Sequence, residues 1–331
     1  MLYPLKFKLI LKPKVWGGCL IASLKGITPA EDNIGESWEI SGFKGSESVV
    51  AEGPLAGKSM GWLLENYGDE LVGKRLHETY GNEFPLLLKF IDSNSDLSIQ
   101  VHPDDDLAEA RHGCRGKNEM WYIIDAAPGA CIISGFSKEI TKEEYQRLVA
   151  ENRLTDVLAR HEAHPGDVFF LPAGRVHAIC SGCLLAEIQE TSDLTYRIFD
   201  YGRLGLDGKP RPLHVEESLD AVDFTVYPSY RTLYEKKEGE TEIISTKWFT
   251  TSVVDIKAPL TKDLSRLDSF MTIMCVEGSG SIECGIPAFE GGPTKGHLTS
   301  IRRGESVLIP ASALSVVFKP EERLKLLIST I

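Results

Sequence analysis

The sequence predicts a mainly β protein: a barrel of short strands with helical insertions, followed by a second, smaller β domain. Three observations predict it. Short apolar runs bounded by Gly, Pro, Asn and Asp recur through most of the chain. Helical periodicity is confined to a few segments. One strand–turn–strand pattern occurs twice, first as Gly166-Asp-Val-Phe-Phe-Leu-Pro172-Ala-Gly174-Arg-Val-His177 and later as Gly304-Glu-Ser-Val-Leu-Ile-Pro310-Ala-Ser312-Ala-Leu-Ser315. Spacing, apolar run and proline agree between the copies, but Ser312 and Ser315 replace Gly174 and His177. The repeat reads as two barrels of one type. The expected division is 1–235 and 236–331, the second degenerate and without a metal, with His297 on a loop.

The elements follow in order. Residues 1–57 read as short strands and loops, among them Ser37–Ser41. Trp62, Leu63, Leu64, Leu71, Val72 and Leu76 recur at helical spacings, which predicts one or two helices over 58–80. Leu86–Ile91 and Leu97–His102 read as consecutive strands, and Pro103-Asp104 opens a short helix or loop. Met120–Ile124 and Val168–Leu171 read as buried strands. Thr141-Lys-Glu-Glu144 has the form of a capping box, which places a helix within 138–152. From Phe224 onward strand patterns dominate.

Bulk properties narrow the function. The chain has 331 residues, with 36 Lys and Arg against 48 Asp and Glu, for a net charge of −12. That balance argues against nucleic acid or an anionic membrane as the main partner. It leaves room for a small anion held by a few local cations. No apolar run has the length of a membrane helix, and Met1–Lys6 does not read as the start of a signal peptide. Seven scattered cysteines form no framework, so the expectation is reduced thiols in a cytoplasm. Cys180-Ser-Gly-Cys183 reads as two ordinary thiols at a turn.

Some residues carry chemistry. In Leu97-Ser98-Ile-Gln100-Val-His102, the strand period puts Ser98, Gln100 and His102 on one face. Three polar side chains there need water or a functional cavity. Lys117 and Glu119 share a face at the start of a strand too apolar to be exposed. Two imidazoles, a carboxylate and an amide oxygen make a plausible divalent-ion site, although Gln is an unusual ligand for zinc. Taken singly, His177 reads equally well as a buried, hydrogen-bonded histidine and Glu119 as a salt-bridged acid.

The Gly166–His177 stretch resembles the second conserved motif of the cupin superfamily, a jelly-roll barrel fold. The wider set is similar to the type I mannose-6-phosphate isomerase family, in its compact bacterial branch. The matching features, in order over roughly 14–203, include Val15-Trp16-Gly-Gly18 and Gly35-Glu36-Ser-Trp38-Glu39. They continue through Gln100-Val-His102-Pro-Asp104, Lys117-Asn-Glu119, the His177 motif, and Ala186-Glu187-Ile-Gln-Glu-Thr-Ser192-Asp193-Leu-Thr-Tyr-Arg197. The resemblance implies one zinc per chain on Gln100, His102, Glu119 and His177. It implies Arg197, Lys117, Glu187 and Asp193 as catalytic residues. Ser98 and Lys89 fall at positions linked with the substrate's phosphate end, and Arg203 stands where relatives often carry another basic residue. These three with Lys117 are the candidates for holding the phosphate, and Trp16 and Glu36 join the substrate-binding candidates. The chain is shorter than the fungal and enteric forms, and its run Ile-Phe-Asp-Tyr-Gly-Arg203 departs from theirs.

The expected function is interconversion of mannose 6-phosphate and fructose 6-phosphate through a zinc-assisted enediol proton transfer. Glu187, Asp193 and a zinc-bound water all stand as proton carriers at this point. The expected partner is a small sugar phosphate, with no nucleic acid and no membrane, and the expected state a cytoplasmic monomer or small homo-oligomer. The alternative is a non-catalytic cupin that binds a sugar phosphate. The long segment between His102 and Glu119 and the missing His-x-His disfavour an iron cupin oxygenase.

Overall fold

A computed structural model of the chain describes residues 2–28, 32–287, 292 and 294–331. The alternating and apolar segments become strands in three sheets. The first runs, in spatial order, Ile10–Gly18 (β1), Ile34–Ser41 (β2), Leu86–Ser93 (β3), Cys183–Glu190 (β10), Glu119–Ala126 (β5) and Val168–Leu171 (β8). The second runs Tyr196–Phe199 (β11), Ile99–Val101 (β4), His177–Ile179 (β9), Cys131–Phe136 (β6) and Leu158–Glu162 (β7). The third contains Gly239–Ser245 (β12), Thr250–Ile256 (β13), Leu260–Asp263 (β14), Met271–Pro287 (β15), Thr294–Arg302 (β16), Ser306–Ile309 (β17) and Ser315–Thr330 (β18). The helices are Leu20–Leu24 (α1), Met60–Val72 (α2), Lys74–Tyr80 (α3), Asp105–His112 (α4), Lys142–Ala150 (α5) and Val215–Ala221 (α6). None of the described helices is long and apolar enough to cross a membrane.

Two compact units result. One comprises residues 11–38 and 88–232, and holds most of the first two sheets. Period-two alternation decides how these sheets meet. Ile132 and Ile179 of the second sheet share a core with Ile91, Trp121 and Leu185 of the first. Their chain neighbours Ile133 and Ala178 point the other way, into a core with Tyr145 and Leu148 of α5. The two sheets therefore close face to face, as a jelly roll does, and α5 covers the outside of one of them. Each such fully buried aliphatic side chain contributes roughly 1.5–3 kcal/mol.

The other unit comprises residues 1–10, 39–87 and 233–331. This differs from a contiguous division at 235/236, because α2 and α3 group with the C-terminal strands. Hydrogen bonds account for it. The Ala311 N–H donates to the Leu71 carbonyl (3.0 Å). The Asp268 carboxylate accepts from the Lys74 (2.7 Å) and Arg75 (3.1 Å) N–H groups at the start of α3, where a helix welcomes an acceptor. His297 is a strand residue rather than a loop residue: β15 and β16 pair through Pro287 and Thr294, which sets His297 opposite Cys284.

The expected strands and long helices form. Thr141 caps α5 by accepting from the Glu144 N–H (3.2 Å). The helices α1 and α6, of 5 and 7 residues, are too short to show a period in sequence. The repeat holds at the level of strands. Gly166 and Gly304 both adopt positive φ (83° and 87°), after which β8 and β17 begin two residues on, and β9 and β18 begin at His177 and Ser315.

Candidate active site

Three short strand segments bring the metal-ligand candidates together. Gln100 and His177 are direct partners across β4 and β9, and Glu119 opens β5. The donor atoms of His102, Glu119 and His177 all lie within 4.8 Å of one another, and all three residues are buried. His177 Nε2 is 3.3 Å from Glu119 Oε1, and His102 Nε2 is 3.7 Å from Glu119 Oε2. Gln100 Nε2 is 3.2 Å from His177 Nε2; the amide turned end for end presents its oxygen at the same place.

The tautomers follow from the partners. His102 Nδ1 lies 2.8 Å from the Leu194 carbonyl, and His177 Nδ1 lies 2.8 Å from the Arg175 carbonyl. A carbonyl only accepts, so both Nδ1 atoms carry the hydrogen and both Nε2 lone pairs face Glu119. Burial, reinforced by Lys117, pushes His177 down to about 3. The same two causes, with His177 third, push His102 well below the usual imidazole range. Neutral imidazoles are the form that binds a metal. Glu119 Oε1 is buried without a hydrogen-bond partner. An orphaned carboxylate oxygen between two imidazole lone pairs fits a divalent cation, and the nitrogen and oxygen donor set suits zinc.

A layer of paired charges surrounds the cluster. Lys117 Nζ contacts Glu119 Oε2 and lies 3.3 Å from His102 Nε2 and 3.8 Å from Glu187 Oε1. Lys89 Nζ is 3.1 Å from Glu187 Oε1, and the Trp121 indole donates to Glu187 Oε2 (2.8 Å). Burial alone would raise Glu187, but Lys117 and Lys89 outweigh it and hold it down to about 2. Glu119 moves the other way, up to about 7, because burial and the Glu187 charge outweigh Lys117. Glu36 accepts from the Trp38 indole (2.8 Å) and pairs with Lys14 (3.2 Å).

A cavity of about 210 Å³ opens beside this layer. Its wall includes the expected Trp16, Glu36, Lys89, Ser98, Gln100, Lys117, Glu187, Asp193 and Arg197. Arg203 is not part of it. Its Nε pairs with Asp200 Oδ1 (2.9 Å) and its Nη1 donates to the Asp96 carbonyl, because the turn after Asp200 carries Arg203 away from β11. In its place stands Arg211, which sequence reasoning missed and which also pairs with Asp200. Lys14 and Trp121 were missed as well. Both had a signal: strand period places Lys14 with Trp16, and Trp121 with Glu119. Arg197 directly faces Gln100 across β11 and β4. Its Nη1 donates to the Pro212 carbonyl (3.1 Å), and its Nε is buried without a partner.

Cys180 and Cys183 sit at the turn between β9 and β10, both buried, and neither has donor atoms in the metal cluster. Cys180, just past the end of β9, lies beside Cys131 at the start of β6, Sγ to Sγ 2.7 Å.

Comparison with known proteins agrees with this arrangement. Residues 5–127 match the family model for the catalytic domain of type I phosphomannose isomerase. The chain is 38% identical to a probable mannose-6-phosphate isomerase of Bacillus subtilis, GmuF, over 74% of this chain and 76% of the relative. It is 32% identical to mannose-6-phosphate isomerase ManA of the same organism over 93% of each. The crystal structure of mannose 6-phosphate isomerase from Bacillus subtilis superposes with a TM-score of 0.87 at 30% identity, covering 100% of both chains. The crystal structure shares the mainly β cupin fold described above over its whole length, the two sequence relatives cover 74% and 93% of the chain, and the chain belongs to the type I phosphomannose isomerase family.

Proposed function

We propose that this chain is a zinc-dependent isomerase that interconverts mannose 6-phosphate and fructose 6-phosphate. The observation that carries the reading is the buried His102–Glu119–His177 cluster beside a cation-lined cavity. Gln100, His102, Glu119 and His177 would hold one zinc. When bound, zinc supplies Lewis-acid polarisation of the sugar's oxygens.

The chain's own residues do the rest. Moving a proton from C2 to C1 of the open-chain aldose passes through an enediol whose oxygens gather negative charge. Arg197 and Lys117 stand on the cavity wall as fixed positive charges for those oxygens. Glu187 is held too acidic by Lys117 and Lys89 to be an efficient base near neutral pH. Its role in this reading is to anchor those two lysines. In this reading the proton is carried by Asp193, another carboxylate on the same wall, whose charge acts on Lys89 and Arg197. Trp16 and Trp121 supply apolar wall that limits water around the reacting carbons.

We read the C-terminal strands as a degenerate copy of the first barrel, on the strength of the matched Gly166–His177 and Gly304–Ser315 elements. Ser315, at the position of His177, offers a poor neutral ligand, so the copy is read as metal-free. The scattered thiols support a reducing cytoplasm as the place of work, and the small cavity supports a sugar phosphate rather than a macromolecule as partner. We take the active form to be a monomer or small homo-oligomer. The test is conversion of mannose 6-phosphate to fructose 6-phosphate by the purified chain. A zinc-loaded protein that binds a sugar phosphate without turnover would leave only the binding reading.

A further inference from the structure

The charges on the cavity wall are unevenly balanced. Three ammonium groups there already have carboxylates: Lys14 lies 3.2 Å from Glu36, Lys89 lies 3.1 Å from Glu187, and Lys117 contacts Glu119. Lys14 and Lys89 each have a carboxylate of their own, and Lys117 shares Glu119 with the proposed metal site. Around Asp200 the count differs, because two guanidinium groups share one carboxylate and a third, Arg197, stands nearby. Arg203 Nε lies 2.9 Å from Asp200 Oδ1, Arg211 Nε donates to Asp200 Oδ2 (2.7 Å), and a second Arg211 nitrogen contacts Oδ1. Arg197 is close enough to feel the charges of Arg211, Asp200, Arg203 and Asp193, so three guanidinium groups stand against two carboxylates. Asp200 is 5% exposed, and the Arg203 and Arg211 side chains 20%. A partly buried excess of positive charge in a chain of net charge −12 is costly unless something anionic completes it.

We infer that Arg211 is the residue that takes the phosphate group of the substrate, and that Asp200 is the positioning residue that aims it. This rests on the sugar-phosphate reading for the identity of the ligand. Arg211 and Arg203 both bind Asp200, but only Arg211 and Arg197 reach the cavity wall. A guanidinium gripped by a carboxylate through Nε and one Nη still has its second Nη to offer. Such a grip fixes the planar fork before the ligand arrives, which lowers the ordering cost of binding. The geometry divides the wall between two tasks. Arg197, opposite Gln100, serves the reacting end. Arg211, on the segment after β11, serves the phosphate end. Arg203 acts as an outer brace, tying Asp200 to the Asp96 carbonyl.

Calorimetric titration of inorganic phosphate and of fructose 6-phosphate into the metal-loaded protein tests this without requiring turnover. Arg211→Ala should weaken both ligands by about 10- to 100-fold, the loss expected for charge-assisted hydrogen bonds. Arg211→Lys should recover part of the loss. Asp200→Asn, which keeps shape but frees Arg211, should weaken both ligands while metal content stays at its original level. In kinetics, KM for the sugar phosphate should rise more than kcat falls. The inference is overturned if Arg211→Ala and Arg211→Lys both bind phosphate within about twofold of the parent, or if Arg203→Ala weakens phosphate more than Arg211→Ala does. A protein that binds phosphate through Arg211 yet fails to isomerise would count against the isomerase reading alone.

Discussion

Glu190 accepts two hydrogen bonds from Asn118 through one carboxylate oxygen, from the backbone N–H at 2.9 Å and from the side-chain amide at 2.7 Å. The same asparagine accepts from the Ala173 N–H through its Oδ1 (2.9 Å). One buried side chain thus ties the Lys117–Glu119 segment to the turn that leads into His177. Asn118→Ala should cost about 1–3 kcal/mol of stability, since it leaves a buried carboxylate oxygen short of donors. It should also weaken zinc binding by about 10- to 100-fold, as loss of an outer partner of a metal site does. Thermal melting and a competitive zinc titration measure the two effects. Unchanged zinc affinity would confine Asn118 to a purely architectural role.

If the cluster holds the metal as proposed, loading should depend on its members as a set. His102→Ala or His177→Ala removes one nitrogen donor and should lower zinc occupancy sharply after gel filtration. Gln100→Leu should lower it less, because a neutral amide is the weakest donor of the four. Elemental analysis of the purified variants decides the matter. Full occupancy in both histidine variants would put the metal elsewhere.

Zinc binding should release protons in a pH-dependent way. Both imidazoles are held neutral well below their usual range, so neither has a proton to lose near neutrality. Glu119, raised to about 7 in the metal-free chain, carries a proton below that pH and not above it. Proton release on binding should therefore grow as pH falls from 8 to 6, toward about one per zinc. Calorimetry in buffers of different ionisation enthalpy counts these protons. The pH-dependent part should vanish in Glu119→Gln; its persistence there would mean that a histidine, not Glu119, is the group being deprotonated.

Arg197 should matter for turnover more than for folding. Arg197→Ala removes a positive charge from the cavity wall and, on the proposed mechanism, should lower kcat by about 10²–10³. Arg197→Lys keeps the charge without the fork and should recover only part. Zinc content and melting temperature should stay near those of the parent. Activity lost only in step with melting temperature would make Arg197 a structural arginine.

Much of this was legible in the chain, for reasons that differ from residue to residue. Strand period alone puts Ser98, Gln100 and His102 on one face, and their side chains do converge on the cavity and the cluster. The Gly166–His177 pattern encodes its own turn, so His177 could be placed from local spacing. Arg211 could not, because its position depends on Asp200 and on an irregular segment with no period. Arg203, placed by its match to a basic position in relatives, lies in the same irregular segment, where the turn after Asp200 leads it to Asp200 and the Asp96 carbonyl instead of the cavity wall. The grouping of α2 and α3 with the C-terminal strands was equally hidden, since Asp268 and Ala311 make those contacts from far along the chain. His297 lies in a strand because β15 runs on to Pro287, a length that its interspersed glycines obscure.

The central claim is that a metal held by Gln100, His102, Glu119 and His177 makes this chain an aldose–ketose isomerase. The most direct measurement is turnover of mannose 6-phosphate before chelator treatment, after it, and after one equivalent of zinc is restored. The account predicts conversion to fructose 6-phosphate that falls to background when metal is removed and returns with the added zinc, while His102→Ala stays inactive at the same zinc concentration. Full activity in protein shown by elemental analysis to be metal-free would contradict it.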